Sequence, residues 1–240
     1  VHATKPIGKG EEISINYIGD YKDFGRRIKE MQFSWGFQCD CALCKADAKC
    51  SPADLTERNR EWEKSFFGVA AFSPREKGSL EKLQQSKSMI DRTYDSKLYA
   101  GLPKGVLLPV LSLLLLHHAN SKDYSKSCQV TVSLLHALGY EVDTQGDAIL
   151  KITPTMYSVL PEGGMALDLL EPLAEQAVRA HISGNSTVAK HLLGFARFVE
   201  RVGNGTDTGT AKKFKQRLNK LAGNSLSATA LEREMAKLGL

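Results

Sequence analysis

No stretch of this sequence is long and apolar enough to cross a bilayer as a helix. The longest apolar run, VLLPVLSLLLL at 106–116, carries Pro109 and falls short of the roughly 20 residues a spanning helix needs. It reads as a buried core helix, and no membrane partner is expected. Cysteine is scarce: five residues, an odd number, three of them in one decapeptide. That argues for metal chemistry and a reducing, intracellular setting, nucleus or cytoplasm, more than for a disulfide framework. Charge of one sign is not in large excess either; a net +5 falls short of a strong electrostatic footprint, and no base-reading motif occurs, so nucleic acid is not expected to be read directly. The opening residues, VHATKPIGKGEE, lack both an initiator Met and the charged-then-apolar layout of a secretory signal, and read as a start in mid-domain. What is present, 42% hydrophobic residues over 240 positions, is enough for one large domain or two modest ones.

The cysteines are concentrated in WGFQCDCALC, which places Cys39, Cys41 and Cys44 behind Trp35 and Phe37. Thiolates separated by one and two residues can be aimed by a tight turn at one ion about 2.3 Å from each sulfur, the distance structural zinc requires. Disulfides among them would close very small, strained rings. Burial as small apolar groups is the plainer alternative, but Gln38 and Asp40 beside them do not suit a packed apolar run. A structural zinc site takes four ligands. Cys50 is the nearest candidate for the fourth, with Asp47 a weaker one, His2 a distant one, and residues upstream of this sequence an equal alternative. Cys128 stands alone in a helix-like stretch and reads as core.

Ahead of the cluster lies GKGEEISINYIGDY. Gly8 and Gly10 mark a turn, and Ile13, Ile15 and Tyr17 alternate with Ser14 and Asn16 in the period-2 pattern of a half-buried strand. Taken alone, Tyr17 is a core tyrosine on that strand. A short basic helix, FGRRIKEMQFSWGF, then leads to Cys-x-Cys-x-x-Cys.

This order of elements resembles the C-terminal end of a SET domain and its zinc-binding post-SET segment, as in SET-domain protein lysine methyltransferases, and more closely the branch with SMYD proteins and fungal relatives. Ala3, Ile7, Gly10, Glu11, Glu12, Ile13, Tyr17, Arg27, Phe37, Cys39, Cys41 and Cys44 carry the resemblance, over about the first fifth of the chain. It implies S-adenosylmethionine as methyl donor, zinc as structural ion, and the lysine side chain of a protein, histone or non-histone, as substrate. Tyr17 would set its hydroxyl beside the sulfonium methyl and the target amine, Trp35 would wall the lysine channel, and Phe37 would pack on the adenine. An aromatic channel favours the neutral amine by desolvation and restricts its approach to one line. The cysteines would then fasten Trp35 and Phe37 and take no part in the chemistry. The glycine-rich cofactor segment and the Asn-His-Ser-Cys-type segment of a whole SET domain do not occur in these 240 residues, so no methyl transfer is expected from them alone.

After Cys50 the pattern turns helical. Ser51-Pro52 and Ser73-Pro74 read as helix starts, and Leu80, Leu83, Ile90 and Tyr94 recur at helical intervals. LPKGVLLPVLSLLLLHHA and KDYSKSCQVTVSLLHALG read as a buried helix and its partner, the second ending at Gly139, with His117, His118 and His136 as structural histidines. The stretch 140–162 reads as a proline-interrupted loop. Three glycine-closed helices follow, and then TALEREMAKLGL, with Thr229 and Glu232 at capping-box spacing. Lys212, Lys213, Lys215, Arg217 and Lys220 form a face opposite Phe214, Leu218 and Leu221 that reads as solvated.

The expected fold is therefore α+β, mostly α. A SET-domain β remnant (1–20) and a post-SET zinc segment (21–50) precede a domain of helical hairpins (51–240). Its tetratricopeptide-like character is implied by the hairpin layout and the resemblance, since no fixed repeat occurs. The alternative reading is a zinc-stabilised helical-repeat module that binds proteins without catalysis, in which Tyr17 is only core.

Overall fold

The computed structural model describes residues 8–10, 24–67, 78–155, 157–159, 164–204, 208–221 and 227–239. The strand expected around Ile13, Ile15 and Tyr17 and the helix start at Ser73-Pro74 lie outside the described residues. The described chain is mostly helical with one two-stranded sheet, an α+β arrangement dominated by α. It divides into two compact units: Val1–Lys122 with Ser133–Tyr140 and Pro154–Val159, and Asp123–Val132 with Glu141–Thr153 and Leu160–Leu240. Among the described residues no helix is long and apolar enough to cross a membrane.

In the first unit, helices α1 (Phe24–Trp35), α2 (Ala42–Asp47), α3 (Pro52–Phe67), α4 (Ser79–Asp91) and α5 (Leu108–Asn120) follow in order. Ser51 caps α3: its hydroxyl accepts the Asp54 N–H at 3.0 Å and donates to the Asp54 carboxylate at 2.7 Å. The apolar run expected as a core helix forms α5, and Pro109 does not break it because it sits in the first turn, where a missing N–H leaves no bond unmade. Leu83 and Ile90 of α4 and Leu108, Val110 and Leu111 of α5 are fully buried. Helix α6 (Tyr124–Ala137) ends as expected at Gly139, whose φ of +85° suits glycine. A side chain there would also meet the backbone of Tyr157 and Ser158 at 3.3 Å. The Gly139 carbonyl accepts the hydroxyls of Thr155 and Ser158, each at 2.8 Å.

The stretch expected as a loop folds instead as a hairpin, β1 (Tyr140–Gln145) and β2 (Ala148–Pro154). Two residues, Gly146 and Asp147, connect the strands, and Gly146 takes the positive φ (+58°) that a primed turn requires at its first position. The signal was the Gly-Asp pair between β-branched residues; polar side chains on β1, which is exposed beyond its first residues, masked the alternation.

In the second unit, α7 (Gly164–Ile182), α8 (Ser186–Asn204) and α9 (Thr208–Leu221) pack on one another, and α10 (Ala228–Lys237) packs on α9. Leu169, Leu173, Ala177, Leu192, Ala196 and Phe214 are completely buried between them. Glu200 of α8 caps α9, accepting the N–H groups of Gly209 and Thr210 at 2.7 Å each. His191 of α8 meets the hairpin, its Nε2 accepting the Ile152 N–H at 2.9 Å. Arg217 is not a solvated cation as expected: it pairs with Glu171 and lies over the Tyr124 ring. Helix α10 is capped by Ser227, whose hydroxyl accepts the Ala230 N–H at 3.2 Å, and not by Thr229, which lies inside the first turn.

Candidate metal centre

Three local rules bring the cysteine sulfurs together. Phe24, Ile28 and Met31 lie on one face of α1, and the helix stops at Gly36, whose φ is +71° and whose N–H bonds the Gln32 carbonyl at 3.1 Å. The chain then runs without helix from Phe37 to Cys41, so Cys39 and Cys41, two residues apart, share a side. Cys41 is the N-cap of α2, and the first turn of that helix folds Cys44 back over it, with the Cys44 N–H 3.5 Å from the Cys41 sulfur. All three sulfurs lie within 4.8 Å of one another. Tetrahedral zinc with sulfur ligands needs them about 3.8 Å apart. The donor set, three soft sulfurs converging at a helix N-terminus, fits zinc or a similar thiophilic ion.

Electrostatics in the cluster follow from that crowding. The Cys44 thiol donates to the Cys41 sulfur and, with backbone N–H groups, pulls the Cys41 pKa down to about 5 against the opposing effect of burial. The same bond, burial and the Cys41 charge push Cys44 the other way. One ionised sulfur therefore discourages the next, and a divalent cation would remove that conflict. Cys44 is buried, and Phe37, Cys39, Phe24 and Ile28 pack around it and Met31 in a small apolar nucleus.

Behind the sulfurs lies a buried charged network. Arg27 of α1 donates to one oxygen of Asp47, at the end of α2. The other Asp47 oxygen takes Arg58 of α3 at 3.1 Å and the hydroxyl of Tyr99. Arg58 also reaches the Thr93 hydroxyl at 2.8 Å and the Thr93 carbonyl, and lies 3.8 Å from the centroid of the Tyr94 ring. The side chains of Arg58 and Asp47 are 3% and 6% exposed, so these are charges taken out of water. Burial works against the Arg27 cation, but Asp47 and Cys44 outweigh it and hold its pKa above the ordinary value. Burial and Asp47 raise the Tyr99 pKa and keep the phenol protonated as a donor.

Cys39, Cys41 and Cys44 thus come together, whereas Cys50 stands outside their group: its sulfur lies 2.8 Å from the Tyr99 hydroxyl and points to the Ala46 carbonyl. Asp47 has both oxygens engaged and none turned to the cluster. Phe37 is half-buried against the sulfur nucleus, and Trp35 is 52% exposed at the end of α1. Tyr17 and His2 lie outside the described residues. Cys128 is buried and donates to the Asp147 carbonyl, as a core thiol would. Sequence reasoning gave no role to Arg27 and missed Arg58 and Tyr99. The available signal was Arg58 itself, a charge between Leu55 and Trp62 on the inward face of α3.

No protein-family model matches the chain. Part of it is similar to curated fungal proteins named histone-lysine N-methyltransferase SET5. The Saccharomyces cerevisiae (strain YJM789) protein is 42% identical over 45 residues, 19% of this chain and 9% of the relative. The Scheffersomyces stipitis protein is 37% identical over 49 residues, 20% and 10% of the two chains. The Candida albicans protein is 33% identical over 61 residues, 25% and 13%. The matched stretch spans about a tenth of the length of these relatives. A short part of this chain is therefore SET-related, and the cysteine cluster is suited to zinc.

Proposed function

We propose that this chain is the C-terminal portion of an intracellular, S-adenosylmethionine-dependent protein-lysine N-methyltransferase, with residues 1–20 closing a SET domain, 21–50 forming its post-SET zinc segment, and 51–240 a helical, tetratricopeptide-like domain. One observation carries the proposal: three metal-competent sulfurs converge directly behind Trp35-Gly36-Phe37, with Phe37 packed against the small nucleus of Met31 and Cys44. The similarity to SET5 proteins supports it, and covers about the same fraction of the chain as the SET-like order of elements.

In this reading Cys39, Cys41 and Cys44 hold zinc, and the ion braces Trp35, the last residue of α1, and Phe37 just beyond it. S-adenosylmethionine supplies an electrophilic methyl group when bound. Phe37, partly buried, offers its ring to the adenine. Trp35 walls the channel for the target lysine, and Tyr17 orients the amine by its hydroxyl. Desolvation along that channel favours the neutral, nucleophilic amine. Activity is assigned to a protein that also contains the glycine-rich and Asn-His-Ser-Cys-type segments, with histones as first substrates to test.

The test is transfer of labelled methyl from S-adenosylmethionine to histones by the whole protein, zinc-loaded. Tyr17→Phe should lower turnover at least about a hundredfold with little change in melting temperature. Full activity of that variant, or no transfer by the unaltered whole protein to any protein lysine, overturns the proposal.

A further inference from the structure

The second unit holds a cavity that the methyltransferase reading does not use. Its volume is about 410 Å³, and its walls come from the turn end of the hairpin, the start of α6, the second half of α7 and the start of α8. All of these walls belong to that one unit. The volume falls within the range of ligand pockets, roughly 300–1,000 Å³.

Gln176 of α7 lines this cavity and is 8% exposed, yet among the described residues no group hydrogen-bonds its side-chain amide. A carboxamide brings two donors and an acceptor, and burying them without protein partners costs free energy. Water satisfies such a group in the free protein; a ligand that displaces the water has to replace those bonds.

Two charged residues line the same cavity. Arg179 is committed: its Nε donates to Glu175 at 2.8 Å, and its guanidinium lies 5.5 Å from the centroid of the Tyr124 ring. Asp147, in the hairpin turn, is engaged by neutral groups, the Ser125 hydroxyl and the Gln129 amide at 3.2 Å, and among the described residues no cation pairs with it. Those bonds, the Ser125 one foremost, hold its pKa below the ordinary carboxylate value, so it is ionised at neutral pH. Ile149 and Val188 contribute apolar wall.

We propose that this cavity binds an extended, basic segment of another protein: a backbone amide of the segment pairs with the Gln176 carboxamide, and a lysine or arginine beside it sets its cation on Asp147. A carboxamide and a peptide group are complementary, each offering a donor to the acceptor of the other. Lysine and arginine carry an aliphatic stem that suits apolar walls and a charged end that suits a carboxylate at the water-exposed rim. Charge selects a cation over an anion, because the guanidinium of the cavity is already paired and its carboxylate is not. Neither the cysteine site nor methyl transfer enters the proposal, which stands or falls by binding alone.

The experiment titrates the full, isotope-labelled chain with two acetylated and amidated pentapeptides, Ala-Ala-Lys-Ala-Ala and its counterpart with norleucine, which lacks the ammonium, in place of lysine. The lysine peptide should shift the side-chain amide signals of Gln176 in nuclear magnetic resonance spectra and bind with a Kd of about 1 mM or tighter. The norleucine peptide should bind about threefold more weakly, the measure of an ion pair at an exposed carboxylate. Gln176→Leu should weaken the lysine peptide about fivefold without lowering the melting temperature, since no protein group loses a partner. Asp147→Asn should abolish the preference for lysine over norleucine. Unmoved Gln176 signals at about 10 mM lysine peptide, roughly ten times the expected Kd, overturn the proposal. Equal binding of the two peptides to the unaltered chain overturns it as well, and both readouts stand even where Gln176→Leu fails to fold. Self-association of the unaltered chain in sedimentation, abolished by Asp147→Asn, would assign the cavity to a second copy and overturn the reading of a different partner.

Discussion

The Asp47 carboxylate lies 3.1 Å from the Arg58 guanidinium, both side chains almost fully buried, although one closes the short helix that holds Cys44 and the other lies within α3. A pair of this kind ties the cysteine segment to α3 through desolvated charge. Its weakness is that neither member tolerates loss of the other.

Asp47→Ala leaves Arg27 and Arg58 buried without their shared counter-charge. Removing one member of a buried pair costs about 3–5 kcal/mol. Chemical denaturation followed by far-UV circular dichroism should show a loss of that size. A loss below about 1 kcal/mol would mean that water reaches the pair.

The cysteine cluster predicts selective chemistry once metal is removed. Cys41, with its pKa drawn down to about 5 by the Cys44 thiol, is a thiolate at every pH above that value, and Cys44 stays protonated. In chelator-treated protein at pH 6, iodoacetamide should modify Cys41 well ahead of Cys44, as read by peptide mass spectrometry. The preference should fade as pH falls through 5, where Cys41 gains its proton. Metal-loaded protein should resist the reagent.

Trp35 offers a clean separation of function from stability. Its side chain is half-exposed, so Trp35→Ala should change stability by less than about 1 kcal/mol. If Trp35 walls the lysine channel, methyl transfer by the whole protein should still fall at least about tenfold. Unchanged transfer would remove it from the channel.

The start of α10 can be tested in the same way. Ser227→Ala should cost about 1 kcal/mol, since the Ala230 N–H loses its acceptor, while Thr229→Ala should stay within about 0.5 kcal/mol. Equal costs would contradict the cap.

Much of the helical layout was legible because its signals are local. Ser51 before Pro52, the apolar run through α5 and Gly139 after α6 each act within a few residues, and the structure uses them as such. Convergence of Cys39, Cys41 and Cys44 was legible for the same reason, being fixed by spacing and one helical turn. The hairpin was missed because alternation along β1 is short: Tyr140 and Val142 turn inward, and the rest of the strand is exposed. The Arg27, Asp47 and Arg58 network was not legible because its members are brought together across three helices, and sequence spacing carries no trace of pairs 20 and 11 residues apart.

His191 has an effect beyond holding the hairpin. A two-stranded ribbon has an outward rim on each strand, and such rims recruit foreign chains into fibrils or swapped assemblies. On β2 the imidazole occupies Ile152, and two residues further along Pro154 has no N–H to offer. Two successive positions on that rim are thereby denied to an incoming strand, which makes self-recruitment through β2 unfavourable even though the ribbon itself is small.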